Sequence, residues 1–379
     1  MKLTALFEDF FRSEKAGGVV LLLCAVVSLL LANSPWGGAY IGFWHHPVAG
    51  HGLAHWVNDG LMAVFFLLIG LELERELYVG EISTLGQAAL PAMAAVGGML
   101  VPAGIHYALN HDLPTSAGAG IPMATDIAFA IGILALLGSR VPASLKVFLT
   151  ALAVMDDLGA ILVIGVFYSD GVQWAWLGGS VVLFATMLVM NRMRVHRIAP
   201  YLLLGVVMWY CMLRSGVHAT LAGVLLAFAI PFGNGDDRSP SYKLQHVLHR
   251  PVAYLVMPIF ALANTCIALG ADPFGPLLQP NALGIMAGLV IGKPLGVVLF
   301  CAIGIATGLC VLPADVRMGH VVGAGMLAGI GFTMSIFIAL LAFSTPAEQD
   351  TSKVAVMLAS LLSALFGVLV LKWRLPKRS

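Results

Sequence analysis

The chain has 379 residues, 60% of them hydrophobic and only 10% charged, with a mean hydropathy of +0.95. Soluble domains carry about 25% charged residues, so this composition excludes an ordinary soluble domain and points to a polytopic membrane protein. The net charge of +1 offers no basic footprint, and no nucleic-acid partner is expected.

Apolar runs broken by proline, glycine and charge predict twelve transmembrane helices, at approximately 16–32, 54–73, 88–109, 119–138, 144–168, 174–191, 199–214, 216–231, 251–270, 282–306, 319–343 and 352–373. The runs are continuous rather than alternating, which favours an all-α protein over a barrel. The first run follows Arg12 and Lys15 and lacks a clear small-x-small cleavage site, so it reads as an uncleaved span. The loop after it, Asn33 to Leu53, holds Trp36, Trp44, His45, His46 and His51. Its aromatics suit an outer membrane interface, and its histidines read as solvated rather than metal-binding. Asp59 and Glu72 lie near opposite ends of the second span. Glu72, Glu74, Arg75 and Glu76 fit either a charged funnel or an ordinary solvated helix end.

The fourth span contains GIPMATDIAF (Gly120 to Phe129) and the eleventh GIGFTMSIFI (Gly329 to Ile338). Proline and glycine clusters open the hydrogen-bond ladder of a helix, which lipid cannot repair but a cavity or partner helix can. Two broken, crossing helices are therefore expected. Aligning the two stretches matches Gly120 with Gly329, Ile121 with Ile330 and Ile127 with Ile336, and sets Asp126 opposite Ser335. Interrupted helices at matching places in two halves suggest inverted-topology repeats, approximately 88–168 and 282–373. Helices 16–73 and 174–270 would then form interface and support within one transporter domain, 1–379.

The fifth span, SLKVFLTALAVMDDLGAILVIGVFY, would run roughly 37 Å as a helix and carries Asp156 and Asp157 at its middle. A charge at that depth costs at least ~2.5 kcal/mol. Neighbouring residues point about 100° apart, so one acid is expected to pair while the other faces a watery cavity. Lys293, in VIGKPLG, is the only basic residue deep inside a span. Where broken helices cross, Asp126 can offset the positive helix ends and Lys293 the negative ones. Three acids against one base leave charge that packing alone would not retain. With the Thr125 hydroxyl and freed carbonyl oxygens, they read as a cation and proton site whose occupants compete, which couples the two fluxes.

Three histidines are candidates for a pH response. His218 lies in the small-residue stretch RSGVHATLAG, where a packed neutral ring is the plainer reading, and His246 and His249 share a helix face beside the polar loop Gly233 to Arg250. Of 20 Lys and Arg, seventeen fall on one side when the N-terminus is placed inside; Arg214 and Lys353 lie on the other, and Lys293 within a span. The positive-inside rule thus sets both termini in the cytoplasm. The five cysteines show no metal spacing and read as packing thiols.

The stretches VFFLLIGLELERELYVG, IPMATDIAFAIGILALLGSRVP, ALAVMDDLGAI, SGVHATLAG, VIGKPLG and GIGFTMSIFIA together resemble the NhaA family of bacterial Na+/H+ antiporters, over nearly the whole chain. The resemblance implies twelve helices with two inverted repeats, a homodimer and an inner-membrane location. It also implies electrogenic exchange, with more protons entering than Na+ or Li+ leaving, in the service of pH and sodium homeostasis. By the same resemblance, Asp157 is the principal cation ligand and proton carrier, with Asp156 beside it as the partner of Lys293. Asp126 and Thr125 would compensate the crossing, and Glu72 and Arg75 would belong to a pH-response region. Two features depart from the family pattern. Gln245 stands where a titrating glutamate is expected, and the outer loop is short and lacks a convincing pair of strands, which puts the dimer in question. No cofactor is required. The alternatives are a sodium-coupled organic-solute carrier, a passive cation channel, or an intramembrane enzyme; the last is disfavoured because protease aspartates must converge from separate helices.

Overall fold

The structure, a computed structural model, describes residues 5–80, 85–169, 171–270, 272 and 274–375. Lys2, Lys377 and Arg378, which enter the orientation count, lie outside these residues, as do the side chains of Arg12 and Lys15.

Apolar runs offer no polar side chains to the backbone, so the chain closes its N–H and C=O groups within helices. In the first half these are α1 (Ala5–Ala32), α2 (Gly37–His45), α3 (Leu53–Trp56), α4 (Met62–Tyr78), α5 (Leu85–Asn110), α6 (Ile127–Leu136), α7 (Ala143–Phe167) and α8 (Trp174–Arg192). Then come α9 (Ile198–Ser215), α10 (Leu221–Ala229), α11 (Pro240–Pro251), α12 (Met257–Asn264), α13 (Pro280–Ala287), α14 (Lys293–Ala306), α15 (Met318–Ala328), α16 (Phe332–Ala342) and α17 (Pro346–Arg374). Short π-helical segments, Val57–Leu61, Val252–Val256 and Gly288–Gly292, join α3 to α4, α11 to α12 and α13 to α14 into longer rods.

Among the described residues, eight rods are long and apolar enough to cross a membrane, and three bent pairs raise the number to eleven if each counts as one span. Two pairs match the expected broken helices: the 3₁₀ segment Pro114–Met123 with α6, bent by 43°, and α15 with α16, bent by 48°. The third joins Ala16–Ala32 to α2 through 115°. The remaining expected span, 216–231, is helical only over the nine residues of α10. Gly216, with φ of +79°, terminates α9 in the left-handed conformation that favours glycine, and the chain does not re-enter a helix until Leu221. Outward side chains are apolar, as with Val181, Val182 and Val189 of α8, which suits lipid as solvent.

The chain divides into two compact units: one of Met1–Leu23, Thr84–Ala160 and Ile267–Ser379, the other of Cys24–Ser83 and Ile161–Cys266. The first unit is built on close backbone approach. A Cβ on Gly97 of α5 would stand 2.2 Å from the carbonyl oxygen of Gly296 in α14, so these helices meet where neither has a side chain. Helix α17 packs on α15 by setting leucine side chains against glycines, Leu371 against Gly323 and Leu327 against Gly367.

The second unit is held by a core in which Leu67 and Leu71 of α4, Met187 of α8, Tyr201, Met208 and Met212 of α9, and Leu226 of α10 come together. Gly223 lets α10 approach α4, where a Cβ would fall 2.2 Å from the Ala63 carbonyl oxygen. The outer loop corrects an expectation. It does contain a hairpin, β1 (Pro47–Val48) against β2 (His51–Gly52), turned by Ala49 and Gly50 at φ of +49° and +89°. Two residues per strand are too few to show alternation in sequence, whereas two consecutive positive-φ residues make a tight turn. The Trp56 indole N–H ties the hairpin down by donating to Val48 O at 2.8 Å.

Candidate functional site

Both broken helices belong to the first unit, and they are joined at their interruptions. After Met123 the chain is extended through Ala124 and Asp126, and the Asp126 N–H donates to Ile330 O at 2.7 Å, across to the break between α15 and α16. The Asp126 carboxylate serves two helix starts at once. Its Oδ1 accepts from Phe129 N (2.9 Å) in α6, and its Oδ2 from Thr333 N (3.1 Å) and Thr333 Oγ1 (2.5 Å) in α16. Each helix start carries about half a positive charge on unsatisfied N–H groups, so a carboxylate between two of them is held from both sides. The opposite ends find donors instead. Lys293 Nζ donates to Met123 O at the end of the 3₁₀ segment, and the single proton of the Thr125 hydroxyl is shared between Ala328 O (2.8 Å) at the end of α15 and Asp156 Oδ2 (2.7 Å).

Across the crossing Asp126 meets Thr333 rather than Ser335, which the alignment makes its counterpart but not its contact. Ser335 Oγ donates to Ile121 O at 2.7 Å instead. The reason is directional: two antiparallel segments place aligned positions on opposite sides of the crossing. Asp126 reaches Ile330 as Ser335 reaches Ile121, each the counterpart of the other in the alignment.

Lys293 follows directly on the π segment Gly288–Gly292, a local underwinding that is frequent at functional sites. Glycine is needed here because Cβ atoms on Gly288 and Gly292 would stand 2.7 Å from Pro122 and 2.9 Å from Pro102. The close approach delivers the Lys293 ammonium to Met123 O and to Asp156 Oδ2, 2.6 Å away. The same Asp156 oxygen accepts from Thr125 Oγ1 at 2.7 Å, while Asp156 Oδ1 has no hydrogen-bond partner among the described residues. Asp156 and Lys293 are both fully buried. Asp157 lies close enough to act electrostatically on Lys293. It is 1% exposed, which corrects the expected watery cavity: in this conformation the second acid is shut from solvent. Thr125, Asp156 and Lys293 are thus linked through hydrogen bonds, with Asp157 near the lysine, while Asp126, next to Thr125 in the chain, is held by Phe129, Thr333 and Ile330.

The pH-response candidates stand in the second unit, and four of the five are gathered there. Glu72 Oε1 of α4 lies 3.8 Å from His249 Nδ1 of α11. The Arg75 guanidinium sits 5.8 Å from the Tyr242 ring, and His246 stacks on the same tyrosine at 6.4 Å with planes 4° apart. His218 is separate: it lies in the unwound stretch before α10, with its Nε2 2.7 Å from Tyr168 O. Asp59, in the π segment Val57–Leu61, is 3.1 Å from His55 Nδ1. Glu74 departs from the solvated-end reading, being 5% exposed.

Thr333 and the carbonyls of Met123, Ala328 and Ile330 were not legible in the chain as individual partners. The hydroxyl-rich stretch GIGFTMSIFI signalled that such groups cluster there, but not which one faces the acid.

A family model described as Na+/H+ antiporter 1 matches residues 8–371. The chain is 58% identical to a Na+/H+ antiporter NhaA 1 of Flavobacterium johnsoniae over 98% of both chains. It is also 58% identical to a Na+/H+ antiporter NhaA of Dechloromonas aromatica, over 98% of this chain and 97% of that one. A solved structure of the sodium proton antiporter MjNhaP1 from Methanocaldococcus jannaschii shares the fold, with a TM-score of 0.52 and 16% identity over 97% of this chain and 98% of that one. A match over nearly the full length, with relatives this similar, places this protein in the Na+/H+ antiporter 1 family, among the NhaA antiporters.

Proposed function

We propose that this chain is a secondary-active antiporter of the bacterial inner membrane that expels Na+ or Li+ by admitting H+, electrogenically. The observation that carries the reading is the charge balance of the buried cluster. Asp126, Asp156 and Asp157 are each at most 1% exposed, and the fully buried Lys293 pairs with Asp156 and acts electrostatically with Asp157. An apolar interior does not hold the surplus negative charge, so protons or small cations complete it. Hydrogen bonds from two helix starts hold Asp126 and the ammonium holds one oxygen of Asp156, whose second oxygen has no hydrogen-bond partner among the described residues and can join Asp157 in taking the exchanging ion.

In this reading Asp157 binds Na+, Li+ or H+ in turn, Asp156 alternates its hold on Lys293, and Thr125 with Asp126 keeps the crossing rigid. Because Asp157 is closed from solvent here, each exchange requires a conformational change that opens it to water. Glu72, Arg75, His246 and His249, with His218, adjust activity to pH. Residues 88–168 and 282–373 form the inverted repeats, both termini are cytoplasmic, and a homodimer is assembled through the outer hairpin.

The test is flux. In proteoliposomes with an internal pH dye, Na+ or Li+ should drive proton movement, and Asp157→Asn should abolish it in protein that elutes as wild type does. Full activity in that variant, or sodium flux without a proton signal, overturns the reading.

A further inference from the structure

The second unit holds a polar cavity that the transport reading leaves unused. It has a volume of about 550 Å3, within the range of small-molecule sites. Three helices point their C-terminal ends at it: α4 through Glu74 and Tyr78, α8 through Asn191, and α10 through Phe228, with Phe232 and Asn234 on the loop that follows. A helix C-terminus carries about half a negative charge on its last carbonyls, so three such ends favour a cation. The Glu74 carboxyl adds to them. Glu74 is 5% exposed, and its buried Oε2 has no hydrogen-bond partner among the described residues. No lysine, arginine or histidine stands among the described lining residues. The arginines of the adjoining helix ends are turned elsewhere, Arg75 over Tyr242 and Arg192 exposed.

We propose that this cavity is a binding site for a small organic ammonium cation, distinct from the ion cluster around Asp156. The carboxylate and helix ends neutralise the ammonium, while Tyr78, Phe228 and Phe232 offer faces to its charge and its carbon chain. Tyr78 and Phe232 already lie with ring centroids 5.1 Å apart. Asn191 donates to Ala229 O at 3.1 Å, which leaves its side-chain oxygen as a further acceptor. An inorganic ion would leave most of the volume and the aromatic wall unused. The ammonium has two sources with the same chemistry: a soluble amine, or the headgroup of an aminolipid at the membrane face.

Calorimetric titration of the full-length protein with n-butylammonium chloride, at ionic strength held by potassium chloride, tests this without any flux. Saturable one-site binding is expected, weakened at least tenfold in Glu74→Gln and severalfold in Phe232→Leu. Should Glu74→Gln fail to fold, Phe232→Leu and Asn191→Leu read the same cavity. No saturation, or equal affinity in wild type and the folded variants, overturns the proposal. In vesicles, affinity reduced by adding phosphatidylethanolamine to phosphatidylglycerol assigns the site to the aminolipid; unchanged affinity assigns it to a soluble amine.

Discussion

The broken-helix crossing of the first unit and the charged helix end of the second treat acids in opposite ways. At the crossing, Asp126 accepts three hydrogen bonds and Asp156 accepts from both a lysine and a threonine, with exposures of 1% and 0%. At the helix end, Glu72 sits 3.8 Å from a histidine with both groups 13–18% exposed, and buried Glu74 has an oxygen without a partner. The difference lies in what each region must do with charge. An interrupted helix pair exposes backbone ends of both signs that nothing else can satisfy, so acids and lysine there hold the fold together. At the helix end Glu72 and His249 keep partial exposure, so water shares in their solvation and their pairing holds the fold less tightly.

Lys293→Met tests the strong side of that contrast. It leaves the buried Asp156 charge and Met123 O without their ammonium, and a loss of about 3–5 kcal/mol is expected in thermal unfolding of the detergent-solubilised protein. Adding Asp156→Leu should restore much of it, because the uncompensated charge is gone. A single-variant loss below about 1 kcal/mol would mean the pair contributes no more than a surface bridge. Next in size is Thr333→Val, which removes the hydroxyl donor to Asp126 but keeps the backbone donor at 3.1 Å. A loss of about 1.5–3 kcal/mol is expected, as for a hydrogen bond to a charged group. An unchanged melting temperature would show that the backbone donors alone hold the carboxylate.

Glu72→Gln should be the mildest, below about 1 kcal/mol, since the pair is long and partly exposed. The more telling readout is the pH profile of exchange. If it does not move in this variant while the maximal rate is retained, the helix end is structural rather than responsive.

Hydropathy placed the spans well because a run of apolar residues is itself the physical requirement for crossing lipid. It misled at 216–231, where composition is apolar enough but Gly216 stops one helix and the next begins only at Leu221. The hairpin at Pro47–Gly52 escaped notice because positive φ at Ala49 is not announced by residue type. Burial of Glu74 was equally hidden. A GLELEREL stretch reads as a charged end, and only the packing of three helix ends around it encloses the carboxyl.

By itself, the sequence determined that this is a helical membrane protein, that two of its helices break, and that acids and one lysine stand at lipid depth. Those are properties of order and composition along one dimension, and lipid makes them binding by offering nothing to a lone charge or an open backbone. The tertiary structure alone decided the partners: Thr333 for Asp126, Met123 O as well as Asp156 for Lys293, and closure of Asp157 from water. Partner choice depends on the direction in which two broken helices cross and on how closely glycines let their neighbours approach, and both are fixed only once the helices pack.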